Sequence, residues 1–161
     1  MLDLIKVLLL LKKLDLLNSP ASNYPLLLTT ATNPTFRILL VDDERDITSV
    51  TKRGLASNGF EVDAINDPVE ALSNFKSGIY DLLLLNVKMP KMNGFELYKH
   101  IYKIDDKMGV YFLSAFESCS EEFKIIFPKL SAICFIRKPI SIDELANKIK
   151  EQLLQEPTSS L

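Results

Sequence analysis

Five side chains of complementary chemistry are spread along this sequence: the acid pair Asp42 and Asp43, the amide Asn86, the hydroxyl of Ser114 and the ammonium of Lys138. Paired carboxylates suit a hard cation such as Mg²⁺, which prefers oxygen ligands and takes one or two carboxylates while keeping several waters. A lysine offers a compact positive charge to a phosphate oxygen, and a serine hydroxyl can donate to another. A backbone carbonyl just after Asn86 could add a ligand. Together these groups suit a phosphoryl group held beside a cation. Each also has a plainer reading. Acids after a strand often cap the next helix, Ser114 alone is a polar strand end, and Lys138-Pro139 alone is a solvated turn. Their coincidence favours a site.

That coincidence depends on the elements carrying them. Phe36–Val41 is a short apolar run of strand length, followed by Ile47, Val50, Gly54 and Leu55 at helical spacing, with Gly59 as a helix-ending glycine. Phe60–Ile65 alternates as a second strand. Asp67-Pro-Val-Glu70 reads as a helix start with a capping box, and Gly78 as that helix's end. Asp81–Asn86 is a third strand, apolar on both faces over Leu82–Leu85, so both faces must be covered. Phe95, Tyr98, Ile101 and Tyr102 mark a third helix, with Asn93-Gly94 turning into it. Val110–Ser114 is a fourth strand. Ser118–Phe127 is a fourth helix, with Phe123, Ile126 and Phe127 on its apolar side. Ala132–Ile136 is a fifth strand. Ser141-Ile-Asp-Glu144 is a second capping box and opens the last helix along Ile142, Leu145, Ile149 and Leu153. Strands alternating with helices give a doubly wound α/β fold with a five-stranded parallel sheet and five flanking helices. In such sheets ligands bind beyond the carboxyl ends of the strands, where all five chemical groups fall.

The 161 residues are enough for about one domain. At 47% hydrophobic and 25% charged the chain can build a core, and a net charge of −2 argues against a nucleic-acid binder. Residues 1–34 read as a leucine-rich leader and a Pro-rich linker, residues 35–155 as the domain, and 156–161 as a polar tail. The leader is read as an extension outside the fold, with an amphipathic surface helix as the alternative and a secretion signal ranked last. No segment reaches the ~18 uncharged apolar residues of a membrane span. Cys119 and Cys134 show no metal spacing or disulfide framework, which fits a reducing, cytoplasmic setting. His100, the only histidine, reads as a surface helix residue.

Four stretches, in order, resemble the response-regulator receiver family: Ile38-Leu-Leu-Val-Asp-Asp43, Asp81-Leu-Leu-Leu-Leu-Asn-Val-Lys-Met-Pro-Lys-Met-Asn-Gly94, Ser114-Ala115 and Phe135-Ile-Arg-Lys-Pro139. The resemblance covers residues 36–154, about three quarters of the chain. It implies strand order 2-1-3-4-5 and a cis peptide between Lys138 and Pro139. It implies Asp42 and Asp43 as Mg²⁺ ligands together with the residue 86 side chain and the Lys88 carbonyl. It further implies Ser114 as a switch hydroxyl, Lys138 as the phosphate-contacting lysine and Phe135 as the switch aromatic.

The family phosphorylates an aspartate where this chain has Asn86. A neutral amide with a delocalised lone pair is a poor nucleophile, so the expectation is a phosphorylation-deficient receiver with weakened Mg²⁺ binding. The expected role is a stand-alone receiver in two-component phosphorelay signalling, not an enzyme, with little room for an attached output domain. Its expected partners are a sensor histidine kinase or phosphotransfer protein, and a downstream target docking on the fourth helix, fifth strand and fifth helix. The alternative is a pseudo-receiver acting as a constitutive interaction module without phosphoryl transfer. A flavodoxin-like enzyme is set aside, because no Gly-rich phosphate loop follows the first strand.

Overall fold

A computed structural model describes residues 35–115 and 135–154. Five strands form one parallel sheet: β1 (Arg37–Val41), β2 (Glu61–Ile65), β3 (Leu82–Asn86), β4 (Val110–Ser114) and β5 (Phe135–Arg137), in the order β2-β1-β3-β4-β5. Four helices accompany them among the described residues: α1 (Arg45–Ser57), α2 (Pro68–Asn74), α3 (Gly94–Tyr102) and α4 (Ile142–Leu154). The helix expected at 118–127 lies outside the described residues, as do the leader, the tail, Cys119 and Cys134. The fifth strand runs one residue past its expected end at Ile136, and the first part of the expected span, 132–134, is also outside them.

Side chains alternate across a strand, and here the alternation sorts two cores. Leu39, Val41, Leu83, Leu85, Val110 and Phe112 point to one face and pack with Ala71 of α2 and Leu97, Tyr98 and Ile101 of α3. Ile38, Leu40, Leu82, Leu84, Leu113 and Ile136 point to the other, against Leu55 of α1 and Leu145, Ala146 and Ile149 of α4. Leu82–Leu85 are all fully buried, each burial worth about 2 kcal/mol. A strand apolar on both faces can only sit inside a sheet covered on both faces, and β3 is the middle strand.

Local chemistry sets most boundaries. Asp67 caps α2 by accepting from the Val69 N–H at 2.9 Å. The reciprocal capping box belongs to α3, where Asn93 and Glu96 each accept the other's backbone N–H at 2.9 Å. Ser141 accepts from the Glu144 N–H at the start of α4. Gly59, at φ +90°, turns the chain out of α1.

Three expectations need correction. The start of α2 has the Asp67 cap without the reciprocal Glu70 bond of the expected capping box. The buried stripe of α1 is Thr48, Thr51 and Leu55, while Ile47 and Val50 face outward at 43% and 54% exposure. The inward face receives Thr48 because its hydroxyl serves backbone carbonyls at the helix start: it donates to Glu44 O at 2.7 Å and lies 3.2 Å from Asp42 O. And α2 ends at Asn74, before Gly78, because Phe75 goes extended (ψ 134°) and buries its ring in the core. Among the described residues no helix is long and apolar enough to cross a membrane.

Candidate functional site

Strand order reverses beside β1: the chain moves outward to β2, then returns across β1 to β3. The crevice at such a switch point lies beyond the carboxyl ends of the two strands. Val41 is in register with Leu85, so Asp42 and Asn86 leave the sheet side by side. Asn86 pairs on its other edge with Leu113, and Ser114 with Arg137, which puts Ser114 and Lys138 on the same rim.

Asp42 is fully buried, and both of its carboxylate oxygens have partners. Oδ1 accepts from the Glu44 N–H at 3.1 Å and from Asn86 Nδ2 at 3.3 Å; Oδ2 accepts from Lys138 Nζ at 2.7 Å. The last is a charge-assisted contact of the short, strong kind. Lys138 is itself held at the rim by its backbone N–H, which donates to Ser114 O at 2.7 Å, and the Lys138–Pro139 peptide is cis.

Asn86 is 8% exposed. Its Nδ2 lies 2.9 Å from Lys88 O, 3.1 Å from Asp43 Oδ1 and 3.3 Å from Asp42 Oδ1. All three neighbours are acceptors, so the amide must present its NH₂ to them; the reverse orientation would set its carbonyl oxygen against three other oxygens. Two hydrogens serve three acceptors, which accounts for the longest contact.

The donor set is that of a hard cation: two carboxylates and a backbone carbonyl converge on one point. Among the described residues no group of three or more His, Cys, Asp or Glu side chains is placed to hold a metal. A cation on this rim would therefore rely on Asp42, Asp43 and neutral oxygens. An open cleft of about 520 Å³ adjoins the rim, lined by Asp43, Lys88, Pro90, Asn93 and Phe95 among others. Phe95 connects this cleft to β5. Its ring meets Phe112 edge-on at 4.9 Å and Phe135 at 5.9 Å, and Phe112 stacks on Phe135 at 5.3 Å.

Asn66 and Thr48, which the sequence patterns did not single out, and Gly94, expected only as a turn residue, complete the support. Asn66, at the carboxyl end of β2, donates to Asp42 O and to Thr48 Oγ1, each at 2.7 Å. Thr48 thus ties the β1 end, the β2 end and α1 together. Gly94 is more than a turn residue: a Cβ there would lie 2.4 Å from Asn86 O, so only glycine lets α3 start against the end of β3. The available signals were a polar residue at one more strand end and a glycine in a first helical turn.

At the rim's edge Lys91, at φ +68°, pairs with Asp67 and links the loop after β3 to the start of α2. That hydrogen bond, with the Val69 N–H, holds the Asp67 carboxyl below its ordinary pKa. His100 is exposed in the last turn of α3, as expected.

A doubly wound α/β domain with acids, an amide, a hydroxyl and a lysine at its switch point defines a narrow class. The chain belongs to the response regulator receiver domain family, whose match spans residues 38–150. Response regulator MprA of Mycobacterium leprae is 33% identical over 117 residues, 73% of this chain and 50% of that protein. The chain spans about half the length of the curated relatives it matches. A CheY-like receiver domain protein from Methanospirillum hungatei has 31% identity and a TM-score of 0.65, covering 74% of this chain and 94% of that one. A CheX-CheY-BeF3-Mg+2 complex from Borrelia burgdorferi has 25% identity and a TM-score of 0.66, covering 77% and 93%.

Proposed function

We propose that this domain is a receiver in two-component phosphorelay signalling that takes no phosphoryl group at residue 86 and keeps its switch residues. The observation that carries the reading is the Asn86 amide, which donates toward both acids of the rim. Acceptance of a phosphoryl group requires a carboxylate oxygen to attack phosphorus while the bond to the donor's histidine breaks. Asn86 offers an amide, and its nitrogen faces the rim as a hydrogen-bond donor. Asp42, Asp43 and the Lys88 carbonyl would hold Mg²⁺, more weakly than an aspartate-containing rim, because the site lacks one unit of negative charge. When bound, the cation would supply charge neutralisation for phosphoryl oxygens. On an Asn86→Asp rim Ser114 and Lys138 would contact those oxygens, and Phe135 would carry the switch. The partners are a sensor histidine kinase or phosphotransfer protein and a target docking on the face around β5 and α4.

The test is intact-mass analysis after incubation with acetyl phosphate and Mg²⁺, on this protein and on Asn86→Asp. The expected result is no adduct on the first and an adduct at residue 86 on the second. An adduct mapped to Asn86 sinks the reading. A second reading, a constitutive docking module, is favoured by the same amide, which engages both acids without a cation. Beryllofluoride with Mg²⁺ separates the two: a retained switch shifts resonances around Ser114 and Phe135, and a constitutive module leaves them in place.

A further inference from the structure

We infer that the Asn86 carboxamide is an internal stand-in for a divalent cation, holding Asp42, Asp43 and the Lys88 carbonyl together and blocking metal by occupancy. This rests on the reading of weak metal binding and goes past it by adding a second cause to the missing charge. Weak binding from a missing charge and weak binding from an occupied position predict different things.

Three oxygens from separate stretches of chain converge on Nδ2 at 2.9, 3.1 and 3.3 Å. Two of them are carboxylate oxygens, which repel one another unless a positively polarised group lies between them. Lys138 does not fill that role, because its ammonium contacts Asp42 Oδ2, on the far side of that carboxylate from the amide. The NH₂ group is the positive centre that both Oδ1 atoms share. It is also firmly seated. Asn86 closes the middle strand, is almost wholly buried, and has α3 packed against its carbonyl through Gly94.

A cation can enter only if those hydrogen bonds are given up. A half-turn of the terminal amide torsion exchanges nitrogen and oxygen. It makes the side chain a fourth oxygen ligand where it had been a competing donor. The carboxamide therefore has two settings, nitrogen inward without a cation and oxygen inward with one. Hydrogen bonds to carboxylates are among the stronger ones, so the first setting is a substantial barrier to the second.

The prediction runs against ligand counting. Asn86→Ala removes an oxygen that could bind metal, yet it also removes the competitor. Calorimetric titration with MgCl₂ of this protein, Asn86→Ala and Asn86→Asp should show Asn86→Ala binding about tenfold tighter than the parent, given the strength of a lost charge-assisted bond, and Asn86→Asp tighter still. In the same series Mg²⁺ should raise the melting temperature of Asn86→Ala more than that of the parent. Equal or weaker binding by Asn86→Ala, with the parent still weak, overturns occupancy and leaves the weak-metal reading intact. A parent that binds as tightly as Asn86→Asp removes the weak-metal reading itself. The unsubstituted protein gives an independent check by NMR. The Asn86 side-chain NH₂ should exchange slowly without metal and shift on saturation with Mg²⁺. A pair that stays unmoved at saturation rules the two settings out.

Discussion

Replacing Gly94 by alanine tests whether α3 is seated directly on the end of β3. The new Cβ would stand 2.4 Å from Asn86 O, 3.2 Å from Asn86 C and 3.3 Å from the Val87 Cα. Carbon and oxygen ordinarily approach to about 3.3 Å, so a gap of about 1 Å must open. The obstacle is the backbone of a buried central strand, which cannot swing aside as a side chain could. Overpacking of this kind costs about 1–3 kcal/mol, and the upper part of that range applies here. Alanine recovers at most about 1 kcal/mol of helix propensity. The net loss is about 2 kcal/mol, or a melting temperature lower by roughly 6–10 °C for a domain of this size. Urea denaturation followed by circular dichroism should show a lower midpoint with an unchanged slope. Gly59→Ala is the control. It meets nothing within 4 Å but sits at φ +90°, so it should lose only about 1 kcal/mol to backbone strain. Gly94→Ala melting within about 2 °C of the parent would refute the close-seating argument.

Thr48→Val keeps the shape of a buried residue but removes a hydroxyl that serves Glu44 O and Asn66 Nδ2; it should cost about 1–2 kcal/mol, read as a lower urea midpoint. Lys138→Met leaves the fully buried Asp42 carboxylate without its ammonium partner. Breaking a buried pair typically costs 3–5 kcal/mol; with Lys138 partly exposed, about 2–3 kcal/mol is expected in the same assay. Gly54→Ala sets a Cβ 2.5 Å from Ile142 Cγ2, a side-chain atom able to move; its penalty should fall below that of Gly94→Ala. Asp67 titrates below its ordinary value of 3.8 in the folded chain. Its stabilisation is present above that value and is lost as pH falls through the lower folded value. The melting temperature of Asp67→Ala should trail the parent at neutral pH, with the gap narrowing once pH falls below about 4.

Much of this arrangement is legible in the residues themselves. Leu82–Leu85 announced a strand covered on both faces, and the chemistry after β1, β3, β4 and β5 converged as strand-end reasoning requires. What escaped was carried by contacts rather than patterns. Thr48 looks like an outward residue beside Ile47 and Val50, because apolar periodicity gives no credit to a hydroxyl that satisfies backbone carbonyls. Asn66 is overshadowed by the capping Asp67 next to it. The close seating of Gly94 depends on where β3 ends in space, which no local spacing encodes. The orientation of the Asn86 amide is likewise a property of three oxygens brought from elsewhere.

The contact between Lys138 and Asp42 joins residues 96 positions apart. A ribosome delivers Asp42 early and its ammonium partner late. Until β5, which leads into Lys138, docks, the nascent sheet carries a carboxylate destined for burial without its counter-charge. The amide at residue 86 arrives in between and can begin to hold the acids before the lysine exists. An aspartate there would instead add a third negative charge to the growing rim. Residue 86 therefore sets how much like charge the ends of β1 and β3 carry before the last strand is made.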